Sequence, residues 1–196
     1  MSKNSKLYGD LKRRIDYLSA QYLPAHCPTG NYTRKQRDDI RSFLLLSHAE
    51  FEYYFEEFGR QVAKRAFDRW RVNHDFKSKV LFYLALHSET TEKIRHAESA
   101  EEKMKEIYGQ YIIATKRNNG IKKDNILTIL CPIGVDLDLI DNTWLNTITS
   151  YGADRGEIAH TSARIQTLHD PIDIKNEIAY LIRELSLLDM ILLKLR

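Results

Sequence analysis

Arg155 and His160 stand five residues apart in the stretch DRGEIAH, Asp154 to His160, and their side chains suit phosphate chemistry. A histidine titrates near neutrality, so it can take a proton from an attacking hydroxyl or return one to a leaving oxygen. An arginine stays charged and offers a planar fork of donors to phosphate oxygens as negative charge builds on them. RNA brings its own nucleophile, the 2′-hydroxyl. A base or acid, a phosphate holder and correct alignment therefore suffice to cleave it without a metal. On one ideal helix the two residues point about 140° apart. To act together, Arg155 folds back towards His160, or two such motifs meet across a dimer interface.

The same stretch has a purely structural reading. Asp154 followed three residues later by Glu157 has the spacing of a capping box, and Gly152 is placed to end the preceding helix. The sequence thus predicts a helix break at Gly152 and a new helix opening at Asp154, with Ile158 and Ile165 turned to the core. That job leaves Arg155 and His160 free for chemistry. Arg164, four residues beyond His160, shares its face and offers a second phosphate-binding cation.

Charge is modest overall, 30 Lys and Arg against 27 Asp and Glu, and its distribution says more than its sum. Through Arg37 there are eight basic residues against Asp10 and Asp16 alone. The run TKRNNGIKK, Thr115 to Lys123, has four basic residues and no acid. Lys116, Arg117, Lys122 and Lys123 are the candidate RNA contacts there.

Other chemistries find little support. The histidines and the two cysteines, Cys27 and Cys131, form no short chelating pattern, so no metal and no cofactor is expected. His48 and Glu50, two apart on a helix, do not face one another; His48 reads as a hydrogen-bonded residue beside an apolar stripe. Glu56 and Glu57 diverge as adjacent helical side chains, which argues against a glycosidase pair. No Gly-rich phosphate loop or serine nucleophile elbow occurs. The N-terminus has no signal-peptide core, and no segment approaches 18 uninterrupted apolar residues. The expected location is cytoplasmic, without membrane contact.

The elements that must position these residues are helical. From Arg34 to about Arg71, Ile40, Leu44, Phe51, Phe55, Phe58 and Val62 form one apolar stripe, with Ser47 filling its missing turn and Thr33 and Gln36 as an opening capping box. DFKSKVLFYLALHS predicts a second helix, broken near HSETT. Ser99 and Glu102 open another, ending at NNG, Asn118 to Gly120. Short segments follow in KDNILTIL and around Trp144. Asp170, Pro171 and Asp173 open the last helix, whose Ile174, Ile178, Leu181, Leu185, Leu188, Leu192 and Leu195 repeat at spacings of four and three. No alternating strand pattern appears. The fold class expected is all-α, a compact up-and-down-like bundle of four to six helices spanning 35–196, preceded over 1–34 by a basic extension or additional helix.

With RGEIAH supplying an Arg-x4-His motif and SFLLLSHAEFEYYFEEF matching a first core helix, the chain resembles the HEPN superfamily, in particular RiboL-PSP-related domains, over residues 35 to 195. The resemblance implies a homodimer that brings two Arg155–His160 pairs into one cleft. It also implies a metal-independent endoribonuclease, leaving 2′,3′-cyclic phosphate and 5′-hydroxyl ends, in toxin–antitoxin regulation or antiviral defence. A cognate inhibitor or neighbouring defence protein is the further partner it suggests. Gly156 departs from the polar residue that often follows the motif arginine in these nucleases, and some members have lost activity. The alternative is a noncatalytic HEPN interaction or RNA-binding module.

Overall fold

Thr33 and Gln36 start the longest element as their spacing predicts. In a computed structural model of the chain, Thr33 Oγ1 accepts from Gln36 N at 3.2 Å and Gln36 Oε1 accepts from Thr33 N at 2.9 Å. The structure describes residues 4–73, 78–160 and 169–195, and of Ala159 and His160 the backbone alone. Helix α2 then runs Arg34–Asn73, 40 residues, or about 60 Å at 1.5 Å per residue. It is the spine of the molecule. Its predicted stripe is buried throughout, from Ile40 to Val62, with Ser47 filling its turn.

Around it stand α1 (Lys6–Tyr22), α3 (Lys79–Leu86), α4 (Glu92–His96), α5 (Ala100–Arg117), α6 (Lys123–Leu130), α7 (Asn142–His160) and α8 (Pro171–Leu192). Among the described residues there are eight α-helices, three single 3₁₀ turns and no strand. The all-α bundle is as expected, with more helices than four to six. Two additions are physically simple. The basic N-terminal stretch holds Tyr8, Leu11, Ile15 and Leu18 at helical spacing, and all four are buried. Thr91, whose hydroxyl accepts from Ile94 N at 3.4 Å, sets off the five-residue α4 after the HSETT break.

Close approach shapes the spine at Gly59. A Cβ there would fall on the Tyr111 hydroxyl of α5 and lie 2.7 Å from Ile129 Cγ2 of α6. Only a residue without a side chain lets both helices reach α2 at that level.

The first and last helices are joined by a buried acid. Asp189 of α8 accepts from Ser5 N at 2.6 Å, Ser5 Oγ at 2.6 Å, Tyr54 Oη at 2.7 Å and Asn4 Nδ2 at 3.3 Å. Ser5 is also the cap of α1, accepting from Tyr8 N at 3.0 Å. Removing a shared acceptor from buried donors is expensive. Asp189→Ala is expected to lower unfolding stability in urea by about 2–5 kcal/mol, and Asp189→Asn, which keeps an acceptor, by less. A loss within 1 kcal/mol for the alanine variant would show that the junction contributes little.

Helix α7 corrects the sequence reading. There is no break at Gly152 and no cap at Asp154: one helix runs through both. Asp141 caps its start, accepting from Trp144 N at 2.7 Å. The reason is a stripe that crosses the glycine. Trp144, Ile148 and Tyr151 are buried and Ile158 is packed against the core, at positions that skip only 155 in a repeat of fours and threes. Burial along that face outweighs the local breaking tendency of one glycine.

Candidate active site

Position 155 is where the α7 stripe calls for a core side chain, and it holds an arginine. The register of α7 against α2 is fixed by three contacts. Trp144 packs on Phe55 with ring centroids 6.1 Å apart, Tyr151 meets Phe51 edge-on at 6.2 Å, and the Tyr151 hydroxyl bonds with Ser47 Oγ. Moving up α7 therefore means moving down α2, and Arg155 lies one turn beyond Tyr151, near enough for its charge to reach His48 and Glu52. The arginine is half-buried.

Two titratable groups of α2 feel its charge. His48 is 1% exposed, and its Nδ1 lies 4.0 Å from Glu52 Oε2, one helical turn away. Burial, reinforced by the Arg155 charge, pushes the His48 pKa down to about 4. The ring is therefore neutral at physiological pH and a poor proton acceptor. Glu52 is raised above the usual carboxylate range, mainly by burial and further by Glu56, while the Gly120 N–H and Arg155 act in the opposite direction. Arg155 thus stands in a stripe of core residues, close enough for its charge to act on one carboxylate and one neutral imidazole.

Glu52 also anchors the basic turn. Its Oε1 accepts from Gly120 N. Asn118 Nδ2 donates to Glu56 Oε1 at 3.3 Å and to Gly120 O at 3.0 Å, and Asn125 Nδ2 donates to Asn118 Oδ1 at 3.1 Å. Gly120 has φ 133°, in the left-handed region that favours glycine. On the other side, Lys123 N donates to Thr149 Oγ1 of α7 at 2.9 Å. The NNG turn is thus strung between the acidic face of α2 and the flank of α7, and the cations around it are carried on a fixed frame.

The sequence-predicted residues fall into three groups. Arg155 sits as described, and Lys122 is brought beside its helix. A Cβ at Gly152 would lie 3.2 Å from Ile121 Cγ1 and 3.4 Å from Lys122 Cγ, and Gly152 is one turn before Arg155. Lys116, Arg117, Lys122 and Lys123 are all exposed, the first two closing α5. His160 ends α7 with its side chain outside the described residues, and Arg164 lies wholly outside them. Glu52 was missed by the sequence reading, which paired His48 with Glu50 and found no contact. The signal was present, because His48 and Glu52 are four apart and share a helix face.

Gly152 is therefore a packing position rather than a helix stop. Gly152→Ala should change stability by no more than about 1 kcal/mol, helix propensity offsetting a tight contact. Gly152→Leu should cost about 1–3 kcal/mol in urea unfolding by driving the Ile121–Lys122 backbone away. Equal stability of the two variants would contradict this packing.

Behind the arginine, Asp154 Oδ2 lies 3.7 Å from His169 Nε2. Burial raises the Asp154 pKa and His169 opposes the rise; burial and Asp154 likewise raise Glu177 of α8. This acid–histidine cluster links α7 to the start of α8. Among the described residues no group of three or more His, Cys, Asp or Glu is placed to hold a metal ion. No helix among them is long and apolar enough to cross a membrane.

An all-α helical bundle is the architecture that the HEPN resemblance implies. A family model described as RiboL-PSP-HEPN matches residues 10–188, from within α1 to near the end of α8, and the chain belongs to that family. Membership points to an RNase-type role. No curated protein and no solved structure gives a significant match.

Proposed function

We propose that the protein is a metal-independent endoribonuclease in which Arg155 holds the scissile phosphate and His160 transfers the proton. The observation that carries this reading is the placement of Arg155. A half-buried cation occupies a stripe position of α7, its charge acts on Glu52 and His48, and Lys122 lies against the turn before it. The 2′-hydroxyl of the substrate attacks the adjacent phosphorus as its proton passes to a base. The 5′-oxygen leaves with a proton, giving 2′,3′-cyclic phosphate and 5′-hydroxyl ends. Neutral, buried His48 is unsuited to be that base, which leaves the role to His160. Two copies of the motif meeting in a homodimer would supply one residue as base and its counterpart as acid. A place in toxin–antitoxin control or antiviral defence, with a cognate inhibitor or neighbouring protein as partner, fits such an activity.

The test is cleavage of a panel of single- and double-stranded RNAs in the presence of a metal chelator, with product ends analysed and light scattering run at several concentrations. The expected result is cyclic-phosphate ends from the wild type, their loss in folded Arg155→Ala and His160→Ala, and a dimer. Cleavage that both variants retain would overturn the assignment.

One observation favours the alternative, a noncatalytic RNA-binding module. A Cβ at Gly156 would have nothing within 4 Å, so packing does not require the glycine that stands where many HEPN nucleases carry a polar side chain. RNA bound by the wild type and left intact would select this reading.

A further inference from the structure

A groove of about 470 Å³ opens between α3, α5 and α6, within the range of small-ligand sites. Its floor is apolar, built from buried Leu84, Ile107 and Tyr111. Several polar groups lining it are already engaged inside the protein. Gln110 exchanges two hydrogen bonds with the Glu89 main chain, both 3.0 Å. Thr128 Oγ1 donates to Asp124 O at 2.7 Å and the Tyr111 hydroxyl to Ile129 O at 2.9 Å. Arg117 and His87, exposed at the rim, make no side-chain hydrogen bond or ion pair with the described residues. The groove therefore offers an apolar floor together with two donors at its rim, one a permanent cation. That combination suits a planar ring carrying a phosphate.

Its position gives the ligand a source. Arg117 ends α5 and belongs to the basic run, and three residues later Gly120 N donates to Glu52, a carboxylate within reach of the Arg155 charge. Three residues span at most about 11 Å. The rim thus lies a short reach from the frame that carries the candidate active site.

We propose that this groove is a subsite for a nucleotide of the RNA strand flanking the scissile linkage, its base on the apolar floor, its phosphate on Arg117 and its polar edge at His87. The inference rests on the ribonuclease reading, and its test is separable from it. Cleavage of a long single-stranded RNA and of a dinucleotide would be compared in the wild type, Arg117→Ala, His87→Ala and Ala114→Trp, the last filling the groove from its lining. All are to be checked for native helicity.

The expected result is a KM for the long RNA raised about tenfold, comparable to one stacked base or phosphate contact, with kcat and dinucleotide cleavage unchanged. An unchanged KM for the long RNA in all three variants would overturn the subsite, whether or not Arg155→Ala abolishes cleavage. If the wild type cleaves nothing, fluorescence anisotropy of the same labelled RNA reads the same contacts. Binding weakened by the three substitutions supports the subsite, and unaltered binding overturns it. Adenosine monophosphate competing as well as the long RNA would assign the groove to a free nucleotide and overturn the flanking-strand proposal.

Discussion

Arg155→Ala is expected to lower the RNA cleavage rate by about 10²–10³, the range found when one oxyanion-stabilising donor is removed. A half-buried guanidinium at a stripe position of α7 offers its planar set of donors to phosphate oxygens as charge develops on them. The loss should fall mainly on kcat, because the added charge exists only in the transition state. Arg155→Lys should recover only part of the rate, since a point charge cannot reproduce a planar fork. Unaltered kcat in the alanine variant, with its helicity intact, would remove Arg155 from the reaction. Because the Arg155 charge helps to depress His48 and Glu52, the same substitution should also raise both of their pKa values, a titration shift readable by NMR even without substrate.

Acid should destabilise the protein through His48. Its folded pKa is about 4 against 6.5 in the unfolded chain, so the unfolded state binds the extra proton across that interval. Stability contributed by the neutral ring is whole above pH 6.5, falls as pH drops towards 4, and changes no further below both values. A displacement of that size corresponds to about 3 kcal/mol. Asp154, Glu52 and Glu177 act with the opposite sign. Their raised folded pKa values make the protein bind protons more tightly than the unfolded chain, so their contribution is lost as pH rises above the ordinary carboxylate range. The wild-type profile sums both trends. Subtracting the profile of His48→Leu isolates the histidine: urea unfolding from pH 4 to 7 should show a steeper acid loss in the wild type. Parallel profiles would mean that His48 titrates normally.

Much of the scaffold was legible because its signals are local. Thr33 and Gln36, Ser99 and Glu102, and Asp170 with Pro171 each announce a helix start through groups a few residues apart, and each is realised: Glu102 N donates to Ser99 Oγ at 3.1 Å, and Ile172 N to Asp170 Oδ1 at 2.8 Å. The repeat in α8 was equally plain. At α7 the local signal misled. Asp154 and Glu157 have cap spacing, and Gly152 is a common stop, but the helix is decided by Trp144, Ile148, Tyr151 and Ile158 against α2. That long-range burial is not written in the residues next to Gly152. Reading the stripe as continuous would have exposed the anomaly, a charged side chain at 155 in a row of core residues. The link between Glu52 and Gly120 joins residues 68 apart, and nothing in either segment alone foretells it.

Helix α7 is held to α2 by a row of teeth at Trp144, Tyr151 and the bond to Ser47, and Arg155 is the next tooth along. Its aim is consequently a matter of phase. One residue inserted between Tyr151 and Arg155 would rotate the guanidinium by about 100°, off the stripe that packs on α2, even though the helix, its composition and the Arg-x4-His spacing all survived. Seven inserted residues would nearly restore the direction while carrying the arginine about two turns farther along the axis. The motif is therefore specified by two counts, the one within it and the one back to Tyr151.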